Sequence, residues 1–364
     1  MLRYTKRIST FLLLTAAVFT PWSARAQYAD HRGYQTNNLV SDIPGLAAAT
    51  DPNLVNPWGV AFLPGGAFWI NDNGNGLSTL YSGAGAVVPA VFTVPAPAGQ
   101  TTPSSPTGIV TNVTRAFLVP GTKLPSTFIF STEDGTISAW TPGLPTNPTN
   151  AVLAVDNSQA GAVYKGLEFG ETAAGTFIYA TNFYNGSIDV FDNTFTPANA
   201  KLLGNFVDEE IEPGYAPFGI RNIDGNLYVT YAKQDQTKHG DEAGLGHGYV
   251  DVFSSDGVLL QRFTERYVLD SPWGVARAPV GFGPLSGLIL IGNFGNGSVN
   301  AFDKEGRLRG LLRDTNGSPI IIPGLWALTF GGGLASTPQT LYFTAGIDRE
   351  THGLFGSVVP EAQN

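Results

Sequence analysis

Asn56-Pro57-Trp58-Gly59-Val60-Ala61-Phe62 returns in altered form five more times: Ser105-Pro106-Thr107-Gly108-Ile109-Val110, Tyr164-Lys165-Gly166-Leu167-Glu168-Phe169, Ala216-Pro217-Phe218-Gly219-Ile220, Ser271-Pro272-Trp273-Gly274-Val275-Ala276 and Leu325-Trp326-Ala327-Leu328-Thr329-Phe330. The small residue of the motif falls at positions 59, 108, 166, 219, 274 and 327, at spacings of 49, 58, 53, 55 and 53. Self-similarity at such a period is the mark of a repeat array, in which each unit buries its apolar face against the next.

Each unit continues with a second apolar run, such as Phe68-Trp69-Ile70 or Leu341-Tyr342-Phe343, then a polar turn and an alternating third run, such as Ser187-Ile188-Asp189-Val190-Phe191. Asn75-Gly76, Asp134-Gly135, Asn185-Gly186 and Asn296-Gly297 sit in those turns. Such dipeptides tolerate the positive φ that a tight antiparallel hairpin needs. With 45 Gly, 25 Pro and no helical periodicity after the first residues, the chain reads as all-β. Six units of about four strands make a six-bladed β-propeller of four-stranded antiparallel blades, starting near residues 56, 105, 164, 216, 271 and 324. The last unit runs out of chain after its third strand, and residues 34–43 are expected to supply the missing outer strand, closing the ring.

Residues 1–26 have the pattern of an export signal: Arg3, Lys6 and Arg7, an apolar stretch from Ile8 to Phe19, and Ala24-Arg25-Ala26 as a cleavage site. The expectation is one propeller domain over residues 27–360 with a short tail at 361–364, exported by the general secretion route to the periplasm or the cell exterior. No hydrophobic tail follows Pro360, so no stable membrane anchor is expected. Cleavage removes four basic residues, leaving 16 Lys and Arg against 29 Asp and Glu, a net charge of −13. A field of that sign repels phosphate backbones and disfavours nucleic acid as a partner. The chain has no cysteine, which excludes thiol catalysis and thiolate-held metals.

The Pro-x-Gly-Val-Ala pattern resembles that of the NHL-type six-bladed propellers. Thr50-Asp51-Pro52-Asn53-Leu54-Val55-Asn56-Pro57-Trp58-Gly59, Tyr228-Val229-Thr230-Tyr231-Ala232-Lys233-Gln234 and Gly292-Asn293-Phe294-Gly295-Asn296-Gly297 resemble an uncharacterised family of exported bacterial propellers, some with a C-terminal sorting anchor. The resemblance implies the fold and an export route. Lactonases of the gluconolactonase type and amidating lyases, six-bladed relatives, hold a metal over the tunnel. Of the corresponding lead-in residues Asn56, Ser105, Ala216 and Ser271, Asn56 alone is a good ligand.

In such a ring the turns between second and third strands, and the lead-ins to the innermost strands, emerge on one face around the central tunnel. That face is expected to carry Asn71, Asp72, Asn73, Glu133, Asp134, Asn182, Tyr184 and Asn293. It also carries a long insertion from Lys233 to His247 and an acidic loop around Asp348 and Glu350. Three of the four histidines, His239, His247 and His352, fall there, with Asp241, Glu242 and Asp348 nearby as candidate ligands for Zn or Ca. Exposed polar loops are the plainer reading of the same residues.

Two further sets lie on the innermost strands. The residue before the motif's small residue is Trp58, Thr107, Lys165, Phe218, Trp273 or Trp326, and the aromatics Trp58, Phe218, Trp273 and Trp326 either line a stacking rim for sugars or pack between blades. Two residues after the small residue, Glu168 and Arg221 take equivalent places in neighbouring units, as an ion pair or as a clamp for a substrate carboxylate. No Gly-x-Ser-x-Gly elbow is present. The leading expectation is a secreted propeller binding a small molecule, glycan or protein on the loop-rich tunnel face. A metal-dependent, lactonase-like hydrolase or lyase and an envelope-associated scaffold are the alternatives.

Overall fold

The computed structural model describes residues 33–361. The signal-like segment 1–26 and residues 362–364 of the tail lie outside the described residues. Six sheets form the six-bladed propeller. Their innermost strands are Pro57–Ala61, Pro106–Thr111, Tyr164–Thr172, Tyr215–Ile223, Pro272–Arg277 and Leu325–Phe330. Each pairs antiparallel with the next strand of its own blade, and blades one, two, four and five have four strands.

The structure gives the motif its physical reason. A Cβ on Gly274 would stand 2.5 Å from the Trp326 carbonyl oxygen, and one on Gly219 or Gly59 would collide with the carbonyl of Trp273 or Thr107. In each case the obstacle is the residue just before the next blade's small residue. Innermost strands therefore approach backbone to side-chain-free backbone, and glycine is needed for close approach rather than for an unusual φ. Polar groups on the second strands fix the same ring. Gly166 N–H donates to Thr181 Oγ1 at 2.7 Å, and that hydroxyl donates to the Phe218 carbonyl at 2.8 Å. Thr344 Oγ1 accepts from Ala327 N–H at 3.0 Å, and Asn71 Nδ2 donates to the Thr107 carbonyl at 3.1 Å.

Tyr34–Ser41 closes the ring as the sequence reading expects, pairing antiparallel with His352–Pro360 from Tyr34 against Pro360 to Ser41 against Leu354. A two-residue strand, Ala49–Thr50, adds in parallel at the outer edge, so blade six has five strands. The closing strand also reaches blade five: Tyr34 N–H donates to the Arg313 carbonyl at 2.9 Å, and its hydroxyl to the Phe282 carbonyl at 2.7 Å. Blade three departs from the four-strand expectation. After Ser187–Phe191 comes Pro197, which lacks a donor for a ladder, and a single bridge to Phe191 remains. The side chain of Asn199 takes over, accepting from Val190 N–H at 3.0 Å and donating to the Ile188 carbonyl at 2.8 Å.

Candidate functional site

The tunnel has two mouths. The upper one is the loop-rich face, and the register of each innermost strand shifts there, at the motif. Five of the residues that precede the small residue meet at the axis, while the sixth, Thr107, donates its hydroxyl to the Tyr164 carbonyl at 2.7 Å. Trp58 and Trp326 stack with centroids 3.4 Å apart, Trp273 meets both edge-on, and Phe218 lies 5.8 Å from Trp326. Trp58, Phe218 and Trp326 are buried and Trp273 is half-buried. These four aromatics plug the tunnel; three of them are enclosed by one another and not displayed around an open rim.

Lys165 is the charged member of that set. It is 3% exposed, with its ammonium 5.1, 5.6 and 5.9 Å from the ring centres of Trp58, Phe183 and Phe218. A buried ammonium needs a counter-charge, and Lys165 Nζ donates to Glu133 Oε1 from blade two. From there a hydrogen-bonded belt runs over the plug. Asn73 Nδ2 donates to Glu133 Oε2 at 2.9 Å, and Asn56 Nδ2 donates to Asn73 Oδ1 at 3.2 Å and to Glu350 Oε2 at 2.9 Å. Asn56 Oδ1 accepts the indole N–H of Trp326 at 3.2 Å, tying belt to plug.

The insertion of blade four reaches across this belt. Its tip is pinned by Asp235 N–H donating to the Gly240 carbonyl at 2.8 Å, and His239 Nδ1 stands 3.8 Å from Glu133 Oε1. Asp241, on the returning limb, has a buried Oδ2 that makes no well-formed hydrogen bond among the described residues, although the Ser271 hydroxyl stands beside it, and the indole N–H groups of Trp58 and Trp273 are likewise unmatched. The carboxyls diverge electrostatically. Burial would raise Glu133, but the charge and hydrogen bond of Lys165, with help from Asn73 and His239, outweigh it and hold Glu133 below its ordinary range. Burial raises Asp241 against the opposing pull of Ser271 and Lys165, and raises Glu350 against the amide of Asn56.

The histidines do not converge. His247 Nδ1 lies 2.7 Å from the Glu242 carbonyl, Glu242 pairs with Lys233 at 2.6 Å, and His352 Nδ1 lies 2.6 Å from Asp42 Oδ2. Asp348 is exposed in the blade-six loop. Among the described residues no group of three or more His, Asp or Glu is placed to hold a metal ion. The residues present are not arranged as a Zn or Ca site, because His247 and His352 turn to the Glu242 carbonyl and to Asp42 while Lys165 takes the Glu133 carboxylate. Of the other residues expected on this face, Asn71, Asp72, Asn182 and Asn293 are buried within the blades. The sequence reading placed Lys165 among the tunnel residues but did not pair it with Glu133; the signal was one charge in a position that is otherwise aromatic or Thr.

The lower mouth is open. Ala61, Val110, Glu168, Arg221 and Thr329, each two past a small residue, line a cavity of about 560 Å³ there, with Arg221 Nη1 3.8 Å from Glu168 Oε2. Burial raises the Glu168 carboxyl, and the Arg221 charge offsets this only in part.

No family model matches the chain. An uncharacterized protein of Acanthamoeba polyphaga mimivirus is 35% identical over 338 residues, covering 89% of this chain and 80% of the viral one. The chain belongs to the same family as that viral protein. A protein of unknown function from Bacteroides thetaiotaomicron, at 13% identity and a TM-score of 0.52 over 91% of this chain and 76% of its own, shares the propeller fold with this family. A virginiamycin B lyase from Staphylococcus aureus aligns over 90% of this chain and 98% of its own, at 11% identity and a TM-score of 0.49. Neither likeness assigns a role to any residue of this propeller.

Proposed function

We propose that this propeller binds a small, hydroxyl-rich molecule, a glycan unit, at the upper mouth. The observation that supports the reading is Asp241 Oδ2, a buried carboxyl oxygen near the belt of Asn56, Asn73, Glu133 and Glu350 that has the Ser271 hydroxyl beside it but makes no well-formed hydrogen bond among the described residues. A buried acceptor left unmatched costs about 1–3 kcal/mol, so a ligand that donates to it gains accordingly. Three carboxyls against one ammonium favour donors over anions at this site. Export through the segment 1–26 belongs to the same reading and rests on its basic, apolar and small-residue pattern.

Calorimetric titration with a panel of mono- and disaccharides tests it. At least one sugar should bind, and Asp241→Asn should weaken that binding about tenfold, the worth of about one hydrogen bond. Absence of binding across the panel at millimolar concentration discards the proposal.

A second reading has its own support. Neighbouring carboxyls pushed in opposite directions are how acid and base roles are divided at one site, with Glu133 held ionised and Asp241 and Glu350 held towards the protonated form. That arrangement suits a metal-free hydrolase or lyase. Turnover of a lactone panel that is lost in Glu350→Gln would support it, and no turnover at any pH would remove it.

A further inference from the structure

The lower mouth carries an independent opportunity. Its volume of about 560 Å³ lies within the roughly 300–1,000 Å³ typical of small-molecule sites. Val60, Val110 and Phe169 give it apolar walls, and Arg221 is the cation that lines it. The Arg221 side chain is 42% exposed, and its contact with Glu168 at 3.8 Å is too long for a hydrogen bond. Glu168 is otherwise engaged, since Oε1 accepts from Phe169 N–H at 2.8 Å and Oε2 from Asn222 N–H at 3.2 Å. The acid is thus turned into the backbone while the guanidinium keeps donors to spare. A guanidinium offers a planar pair of N–H groups that matches a carboxylate.

We propose that the lower cavity is a binding site for a small carboxylate with an apolar body, its oxyanion on Arg221 and its hydrocarbon against Val60, Val110 and Phe169. An amine fits less well, because each oxygen of Glu168 already accepts one backbone N–H, whereas the Arg221 contact with Glu168 is too long to occupy the guanidinium donors. Glu171, at the rim, is exposed and solvated.

Octanoate is the probe, with 1-octanol as the uncharged control, each titrated calorimetrically into the full chain. Octanoate should bind and octanol should bind at least tenfold more weakly. Arg221→Gln should weaken octanoate tenfold or more while leaving octanol unchanged, and Val110→Trp, which fills the cavity, should abolish both. Asp241→Asn at the other mouth should leave octanoate binding as it is. Thermal unfolding of each variant verifies folding, and if Val110→Trp does not fold, the Arg221→Gln comparison decides. No octanoate binding at millimolar concentration, or equal binding by Arg221→Gln, overturns the proposal.

Discussion

The two mouths of the tunnel are built from the same six strands, a few residues apart, yet one is filled and the other open. At the upper mouth the strands present Trp58, Lys165, Phe218, Trp273 and Trp326, which are long enough to meet on the axis. At the lower mouth the equivalent places hold Ala61, Val110, Glu168, Arg221, Ala276 and Thr329, mostly too short to meet. The radius of the ring is set by backbone contacts at the glycines, so side-chain length alone determines which end closes. Closure then changes what a charge must do. Lys165, enclosed, has to be paired, whereas Arg221, 42% exposed at an open cavity, needs no close partner and is left available.

That contrast can be broken most forcefully at Lys165. Lys165→Met strands Glu133 as a buried, unpaired carboxylate and should destabilise the fold by about 3–5 kcal/mol. Arg221→Gln, which removes a partly exposed pair, should cost under about 1 kcal/mol. Urea unfolding of both variants measures the difference, and adding Glu133→Gln to Lys165→Met should recover most of the loss. Equal effects at the two positions would mean that enclosure does not distinguish the mouths.

A smaller effect tests the ring radius. Gly274→Ala forces a Cβ against the Trp326 carbonyl and should cost about 1–3 kcal/mol by thermal unfolding, as overpacking does. Ala327→Gly, at the one motif position that is not glycine, should change stability by under about 1 kcal/mol. A neutral Gly274→Ala would show that something other than backbone approach holds the ring.

The smallest expected effect is on pH dependence. Glu133 is held low, so its contribution is present above the ordinary carboxyl range and is lost as pH falls through its folded value. Asp241 and Glu350 are held high, so the folded state keeps protons that the unfolded chain releases, and stability falls as pH rises from about 4 towards their folded values. In the double variant Asp241→Asn, Glu350→Gln, that fall on raising pH should flatten in urea midpoints taken across the range. An unchanged slope would place the titrating groups elsewhere.

Much of the architecture was legible in the chain. The motif period, the alternating third strands and the Asn-Gly turns give six antiparallel units, and the shortfall after Phe355-Gly356-Ser357-Val358-Val359 points to residues 34–43 as the closing strand. Blade three was not legible as a three-stranded sheet, because replacement of a strand by the side chain of Asn199 leaves no periodic signal. The site was legible in part. Asn73 and Glu133 were placed on the correct face, and Glu168 and Arg221 were placed together near the tunnel, but the histidines drew attention that their geometry does not repay. A loop histidine has no periodicity to fix its direction, and His247 and His352 each turn to a neighbour in their own surroundings.

By itself the sequence determined the number of blades, the strand order within them and the closure of the ring, since all three follow from local pattern and turn chemistry repeated along the chain. Only the tertiary structure decided which side chains share the axis. Asn56 and Glu350 are 294 positions apart and Lys165 and Glu133 are 32 apart, yet each pair is in contact. Closing a ring imposes such meetings through its radius and the shift in register at each motif, and neither quantity is written in any one stretch of residues.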